Sequence, residues 1–216
     1  MRSSGESERP GPGQAYNRGR PVDARQAASV ILLRDAIGDA GERQLEVLLV
    51  RRTPQARFMG GVWVFPGGAV DAGEGGGDGA HRAAALRELQ EEAGIVLAGP
   101  DELTKFSRWI TPAEVQIRFD THFFLAALPS GQEPVVDGEE CVDLGWFTTA
   151  RALDAHASGE IVLVFPTIKH LQQLGEFASM SDVLGYARGR EVQPVQPRVI
   201  LEGEVARIIL PGEPGY

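Results

Sequence analysis

Three glutamates stand close together in the stretch RELQEEAGI: Glu88, Glu91 and Glu92. At spacings of three and four they share one face of a helix, within about a third of its circumference. On an exposed helix each like-charge pair would repel by roughly a few tenths of a kcal/mol. A divalent cation removes that repulsion, because Mg²⁺ and Mn²⁺ prefer carboxylate oxygens completed by water and substrate phosphate. The spacing therefore predicts a metal site, with a solvated charged face as the plainer alternative.

The residues around this patch suit a metal site. Arg87 can pair with Glu91 at i+4 or reach back to Glu74, which would hold the carboxylates in place. Upstream, the glycines of FPGG let the backbone approach a bound ion or phosphate, since Gly68 has no Cβ to block it. We therefore interpret Arg87 as an orienting residue and not as a ligand.

Composition limits the classes of partner. The 216 residues are 43% hydrophobic and 24% charged, enough for one core with an extension. A net charge of −9 offers no basic surface for duplex nucleic acid or an anionic membrane, so we expect a small-molecule partner. No apolar run reaches the ~20 residues that cross a bilayer, and the amino terminus has no hydrophobic core of a signal peptide. The single cysteine, Cys141, excludes an internal disulfide, and we expect a cytoplasmic protein.

Apolar patterning predicts the order of the elements. A helix over residues 80–93 is indicated by Leu86, Leu89 and Ala93, with Gly94 as its stop signal. The other predicted elements are a hairpin of strands at 27–36 and 44–52, a short strand in GGVWVFPGG, a strand at 118–127, a strand in ECVDLGWFTT and a helix capped by Thr148 or Thr149. This order favours an α/β fold with a mixed sheet over repeated βαβ units.

Three segments are predicted along the chain. Residues 1–21 are rich in Ser, Gly, Pro and charge, which is typical of a flexible tail. Residues 22–160 hold the elements above as one domain. Residues 161–216 contain two predicted helices, a loop at QPVQP and a last strand in RVILEGEVARIILP. We interpret them as an extension packed on the same core, because such short helices cannot bury a separate one.

Gly68, Glu74 and the run from Arg87 to Ile95 together resemble the Nudix box, G-x5-E-x7-R-E-U-x-E-E-x-G-U, where U is aliphatic. Every named position matches. Twelve residues separate Glu74 from Arg87 where the family pattern has seven, and the surplus falls in GGGDG. We expect a longer loop there that leaves the helix intact. The resemblance implies a Nudix-type α/β/α sandwich with a mixed sheet, followed by a C-terminal helical extension.

The segment LLVRRTPQARFMGGVWVFPGG is similar to the extra motif of the coenzyme A pyrophosphatase branch of that family, L-L-T-x-R-[SA]-x3-R-x3-G-x3-F-P-G-G. Val50 replaces its Thr, and Thr53 replaces its Ser or Ala. The matching residues are Leu48, Leu49, Arg52, Arg57, Gly61, Phe65, Pro66, Gly67 and Gly68. All the similar segments together span about residues 27–147.

The resemblance implies metal-dependent hydrolysis of a nucleoside diphosphate linked to another moiety. The implied ligands of Mg²⁺ or Mn²⁺ are Glu88, Glu91, Glu92 and the carbonyl of Gly68. Water would attack phosphorus without a covalent enzyme intermediate. The base that activates this water stays open between a glutamate of the box and an acid of a later loop, Glu139 or Glu140.

Arg52 and Arg57, with Gly67 and Gly68, are the predicted substrate-binding residues. A guanidinium offers two parallel donors to phosphate oxygens, so the arginines could clamp the phosphates of coenzyme A. The alternative is that both are solvent-facing arginines at a strand end. A zinc site is not expected, because no histidine has a His partner at i+4 or a neighbouring cysteine.

The upstream motif implies coenzyme A or acyl-coenzyme A as substrate, cut to 3′,5′-ADP and (acyl-)4′-phosphopantetheine. ADP-ribose, NADH or capped RNA is the alternative within the same enzyme class. A catalytically silent nucleotide-binding regulator is the alternative from another class, and the presence of every box glutamate disfavours it. A homodimer stays open.

Overall fold

The computed structural model describes residues 17, 20–56, 58–202 and 205–216. Arg57 and nearly all of the predicted tail lie outside these described residues. Within them, β1 (Arg25–Ile37) and β2 (Arg43–Arg52) form the predicted antiparallel hairpin. The side chains of residues 27–33 are all buried because both faces of β1 are covered.

Six more strands complete the main sheet. They are β3 (Trp63–Val64), β4 (Gly67–Ala69), β5 (Thr104–Ile110), β6 (Phe119–Ala127), β7 (Cys141–Thr148) and β8 (Pro194–Val195). The order is β3-β2-β1-β6-β5-β8, with β4 paired to β1 and β7 paired to β2. The sheet is mixed, as predicted, because β1 and β6 run parallel and β1 and β2 run antiparallel.

The sheet places the two glycines of FPGG at its centre. β2 pairs with residues 33–37 of β1, which leaves residues 27–29 of the same edge for β4. Gly67 lies opposite Ser29 and Gly68 opposite Ala28. The single short strand predicted in GGVWVFPGG is therefore two strands, interrupted at Pro66, which has no N–H to donate to a ladder.

Helices cover both faces of the sheet. They are α1 (Gly77–Ala93), α2 (Thr149–Ala157), α3 (Phe165–Leu174) and α4 (Met180–Ala187). Leu89 and Ala93 of α1 pack with Val30 and Leu32 on one face. α2, α3 and α4 pack on the other face, in the cluster that contains Ile31. The predicted α/β/α sandwich is confirmed. Among the described residues, no helix is long and apolar enough to cross a membrane.

The segment after residue 160 is built into the same core. Leu171 and Leu174 of α3 and Val183 of α4 belong to the cluster on the α2 face. The single last strand predicted in RVILEGEVARIILP is wrong: the segment forms two antiparallel strands, β9 (Arg198–Glu202) and β10 (Val205–Ile209). A Gly between two glutamates interrupts its apolar run and is typical of a hairpin turn. The division into three segments remains a proposal.

The surplus residues before the box helix do not form only a longer loop. α1 begins at Gly77, so Gly77, Asp78 and Gly79 form its first turn instead of the loop predicted there. Asp78 contacts Arg82 one turn later at 3.0 Å and Lys105 of β5 at 2.7 Å. These contacts, together with a negative charge at the helix start, favour the additional turn.

Candidate active site

The last two turns of α1 carry the predicted glutamates. Leu89 and Ala93 are fully buried against the sheet, and Gly94 ends the helix in a left-handed conformation with φ of 67°. This packing fixes which side chains turn toward β4. The side chain of Glu92 is 3% exposed and that of Glu88 11%, whereas that of Glu91 is 58% exposed. Two of the three predicted ligands are therefore buried beside the sheet.

The two glycines of β4 make room for these carboxylates. The Gly67 N–H donates a hydrogen bond of 2.8 Å to Oε2 of Glu92. A Cβ on Gly68 would lie 2.3 Å from Oε1 of Glu88. A Cβ on Gly67 would lie 2.5 Å from the carbonyl oxygen of Ala28. Neither position can therefore hold a larger residue without displacing its neighbours.

Arg87 connects the carboxylates, as predicted from the sequence. Its Nη1 donates to Glu88 and to Glu91, each at 2.8 Å. Its Nε donates to Glu74 at 2.9 Å and its Nη2 to the carbonyl oxygen of Ala69 at 3.0 Å. Both partners expected for Arg87 are present, because the surplus residues extend α1 without moving Glu74 out of reach. The contact with Ala69 could not be found from sequence spacing.

Burial raises the pKa of the two buried carboxylates, Glu88 and Glu92. It raises the pKa of the Glu92 carboxyl to about 7, although the hydrogen bond from Gly67 lowers it. Burial also raises the pKa of Glu88, against the opposing effect of Arg87. Among the described residues, Glu92 forms an ion pair with Arg52, whose Nη1 lies 3.8 Å from Oε1. An added cation at this place would stabilise both carboxylates in their charged form.

A loop before β7 brings further acids to the same place. A cavity of about 370 Å³ is lined by Glu88, Glu91, Glu92, Asp137, Glu139 and Glu140. The Asp137 carboxylate accepts backbone N–H bonds from Glu139, Glu140 and Cys141 at 3.1, 2.7 and 2.9 Å. These bonds fold the loop so that Glu140 faces α1. Asp137 was missed in the sequence reasoning, although an Asp followed by Gly is typical of such side-chain-capped turns.

The donor set fits a hard divalent cation. It consists of carboxylate oxygens around one cavity, next to a backbone position where a Cβ would collide with Glu88. Within the described part of the chain, no three His, Cys, Asp or Glu side chains already form a closed metal cluster. Glu88 and Glu91 are instead bonded to Arg87, and Glu92 is bonded to Gly67. Each of these hydrogen bonds uses one oxygen of its carboxylate, so a second oxygen of each glutamate remains to bind an added cation.

The structure describes three of the four predicted substrate-binding residues. Arg52, Gly67 and Gly68 lie with the carboxylates in the lining of a second, larger cavity. Among the described residues, the buried Nε of Arg52 has no hydrogen-bond acceptor. Arg57 lies outside the described residues. Cys141 is fully buried.

The chain is similar to proteins of a known family. The NUDIX domain profile matches residues 23–164. Nudix hydrolase 7 of Caenorhabditis elegans is 27% identical over 212 residues, covering 82% of this chain and 68% of that protein. The human acyl-coenzyme A diphosphatase NUDT19 is 31% identical over 119 residues, covering 53% of this chain but only 32% of that protein.

A solved structure shares the fold. The crystal structure of a NUDIX hydrolase from Alicyclobacillus acidocaldarius superposes with a TM-score of 0.67 and 28% identity, over 76% of this chain and 96% of that one. The profile match covers more than half of the chain and includes α1, β4 and the loop before β7. The chain therefore belongs to the NUDIX domain family and is a Nudix hydrolase.

Proposed function

We propose that this enzyme hydrolyses the diphosphate linkage of coenzyme A or acyl-coenzyme A. The products would be 3′,5′-ADP and 4′-phosphopantetheine or its acylated form. The observation that carries the proposal is the contact between the box glutamates and the coenzyme A motif: Gly67 bonds Glu92, Gly68 faces Glu88, and Arg52 lies beside Glu92. The diphosphate of the substrate would bind where these residues meet.

Nudix hydrolases generally use divalent metal ions, and we propose Mg²⁺ or Mn²⁺ here. The residues that would hold the ion are Glu88, Glu91, Glu92 and the carbonyl of Gly68. When bound, such an ion polarises a phosphoryl oxygen and lowers the pKa of water. Arg87 would keep Glu88 and Glu91 oriented from the opposite side.

Glu140 is our candidate for the base that takes the proton of the attacking water. Its place in the lining of the acidic cavity supports this role, and Asp137 holds its backbone N–H at 2.7 Å. A glutamate of the box is the alternative base. The attack would occur directly on phosphorus, so no side chain needs to form a covalent bond to the substrate.

Arg52 would bind a phosphate of the substrate. Its side chain is about a quarter exposed, and its buried Nε lacks an acceptor among the described residues. A phosphate oxygen would supply that acceptor in the bidentate geometry that guanidinium groups favour. Arg57, one of the matching positions of the motif, is the second proposed phosphate-binding residue.

The activity of the human relative supports this choice of substrate. That protein is called an acyl-coenzyme A diphosphatase, although this chain matches only a third of its length. ADP-ribose, NADH and capped RNA remain the alternative substrates, because the same site could cut any of them. Arg52, Gly67 and Gly68 match positions of the upstream motif, and this match favours coenzyme A as the substrate.

The test is a panel of diphosphates with Mg²⁺ or Mn²⁺, with products identified by mass. We expect 3′,5′-ADP from coenzyme A, no turnover by Glu92→Gln and strongly reduced turnover by Glu91→Gln. Glu176→Gln, at an exposed position, is the matched control. Hydrolysis of ADP-ribose alone would overturn the substrate assignment. Binding of coenzyme A without turnover of any diphosphate would favour the silent regulator.

A further inference from the structure

The larger cavity continues from the carboxylates into an apolar chamber. It has a volume of about 830 Å³ and includes Gly67, Gly68, Glu88 and Glu92 at one end. From there it extends along the first half of β1 to Arg25. At about 3.3 Å per residue, the four steps from Ser29 to Arg25 span about 13 Å. The chamber is thus much longer than a diphosphate group requires.

The floor of the chamber is one face of the sheet. Ala27 of β1 lies opposite Thr121 of β6, and Phe123 lies opposite Ser29. All four residues line the cavity, because alternate side chains of a strand point to the same face. Trp109 of β5, opposite Thr121, continues this surface. The floor therefore consists mainly of aliphatic and aromatic groups.

The segment after residue 160 supplies the other wall. Val164 at the start of α3 lines the cavity, and so do Val199 of β9 and Ile208 of β10. Val199 and Ile208 are cross-strand partners. The C-terminal hairpin thus presents a pair of branched aliphatic side chains to the chamber.

Three polar groups in the walls are already bonded within the protein. Thr111 Oγ1 accepts the N–H of Phe119 at 3.1 Å, and Ser29 Oγ donates to the carbonyl oxygen of Pro66 at 2.9 Å. His156 Nδ1 accepts the N–H of Leu163 at 3.3 Å. No Asn, Gln, Asp or Lys is among the described lining residues. A nucleobase, which needs several hydrogen-bond partners when buried, would find few here.

We infer that this chamber binds the acylated pantetheine arm of the substrate, with an unbranched aliphatic chain against Val199 and Ile208. The inference rests on the proposed function, since it assumes that the diphosphate lies at the carboxylates. An aliphatic chain requires only an apolar surface that excludes water, which the chamber offers. The 3′-phosphoadenosine half of the substrate lies outside the chamber.

The first test is hydrolysis of coenzyme A and of its acetyl, hexanoyl and decanoyl thioesters. Burial of one methylene is worth up to about fourfold in affinity, so KM should fall at least about tenfold from acetyl to decanoyl. Ile208→Glu should abolish this fall, so that KM no longer depends on the length of the acyl chain. Ile37→Glu, at an exposed position on β1, is the matched control. Equal KM values along the series would overturn the inference and leave the proposed function standing.

The second test needs neither metal nor turnover. cis-Parinaric acid, a fluorescent fatty acid, should bind the metal-free protein and be displaced by decanoic acid but not by adenosine 3′,5′-bisphosphate. Ile208→Glu should weaken its binding at least about tenfold, because a carboxylate would replace an apolar contact. If circular dichroism shows that Ile208→Glu is misfolded, Ile208→Trp replaces it. This variant fills the chamber without a charge and should weaken binding of the fatty acid in the same way. Absence of binding, or displacement by the bisphosphate, would contradict the inference even if coenzyme A is hydrolysed.

Discussion

Gly68 is the residue on which the geometry of the candidate site depends most directly. It lies on β4 beside the Glu88 carboxylate, so close that a Cβ would displace that carboxylate. Gly67 is restricted from the other side, by the backbone of Ala28. The sequence predicts that Gly68 lets the backbone approach a bound ion. The structure adds a second reason, since the glycine also accommodates a buried carboxylate.

Gly68→Ala should therefore impair catalysis. The added Cβ would lie 2.3 Å from Oε1 of Glu88 and would push that carboxylate out of place. Displacement of a catalytic group by about 1 Å costs on the order of a hundredfold in rate, and we expect a loss of that size in kcat/KM.

The matched control for this variant is Gly73→Ala. A Cβ at Gly73 meets no atom within 4 Å, so activity should stay at the wild-type level. Steady-state kinetics on the substrate found in the panel measures both variants. Equal activity of Gly68→Ala and Gly73→Ala would show that the close approach to Glu88 does not matter.

The residues of the site could be predicted from the sequence better than their contacts. Glu88, Glu91, Glu92 and Arg87 could be predicted because helical spacing alone puts them on one face. Asp137 could not, because its role depends on three backbone N–H groups that only a folded loop brings together. Long-range contacts of this kind have no signature in local spacing.

At the scale of elements, strongly periodic segments were predicted correctly and glycine-rich ones were not. The β1–β2 hairpin and the body of α1 follow from apolar periodicity. The first turn of α1 was interpreted as loop, because glycine is a poor helix former. Its contacts with Arg82 and Lys105 override that propensity. Strand β5 was missed, since Lys105, Ser107 and Arg108 break the apolar pattern of a strand that lies between β6 and β8.

Asp78→Ala tests how much this first turn depends on its ion pairs. Asp78 is about half exposed, so its two contacts should contribute at most about 1 kcal/mol to the free energy of unfolding. We expect a decrease within that limit and unchanged activity, because the variant leaves Glu74 and Arg87 in contact. Urea unfolding and steady-state kinetics measure the two effects. A large loss of activity would mean that the surplus turn positions the box.

At the scale of the whole molecule, one core holds both the site and the segment after residue 160. The α/β/α sandwich could be predicted from the order of elements and from the family resemblance. The packing of the C-terminal hairpin could not, because Val199 and Ile208 face a cavity whose other walls lie far away along the chain. The flexible tail, the cytoplasmic location and the homodimer stay predictions.

His170 should make the stability of the fold depend on pH. It is fully buried among aromatic rings, with Ser107 Oγ 2.6 Å from its Nε2, and burial lowers its pKa to about 3. In the unfolded chain a histidine binds a proton near pH 6.5. Below that pH the unfolded state holds more protons than the folded state, so acidification favours unfolding. Each pH unit between about 6 and 3 should remove up to about 1.4 kcal/mol.

His170→Gln should reduce this dependence, because glutamine can still bond Ser107 but does not titrate. The free energy of unfolding, measured in urea from pH 7 to pH 5, should fall less steeply for the variant. His122, whose pKa burial lowers to about 4, contributes with the same sign and should leave a residual slope. Slopes that are equal in the two proteins would mean that His170 becomes protonated in the folded state.

The position of β1 in the sheet also determines which parts of the molecule unfold locally first. Its edges are paired with β6, β2 and β4, and its faces are covered by α1 and by α2–α4. In hydrogen–deuterium exchange, the amides of residues 27–33 should therefore be among the slowest of the described chain. β9 and β10, which pair only with each other, should exchange sooner. The C-terminal wall of the chamber could then detach, and release a bound chain, while the glycines and glutamates stay assembled on β1.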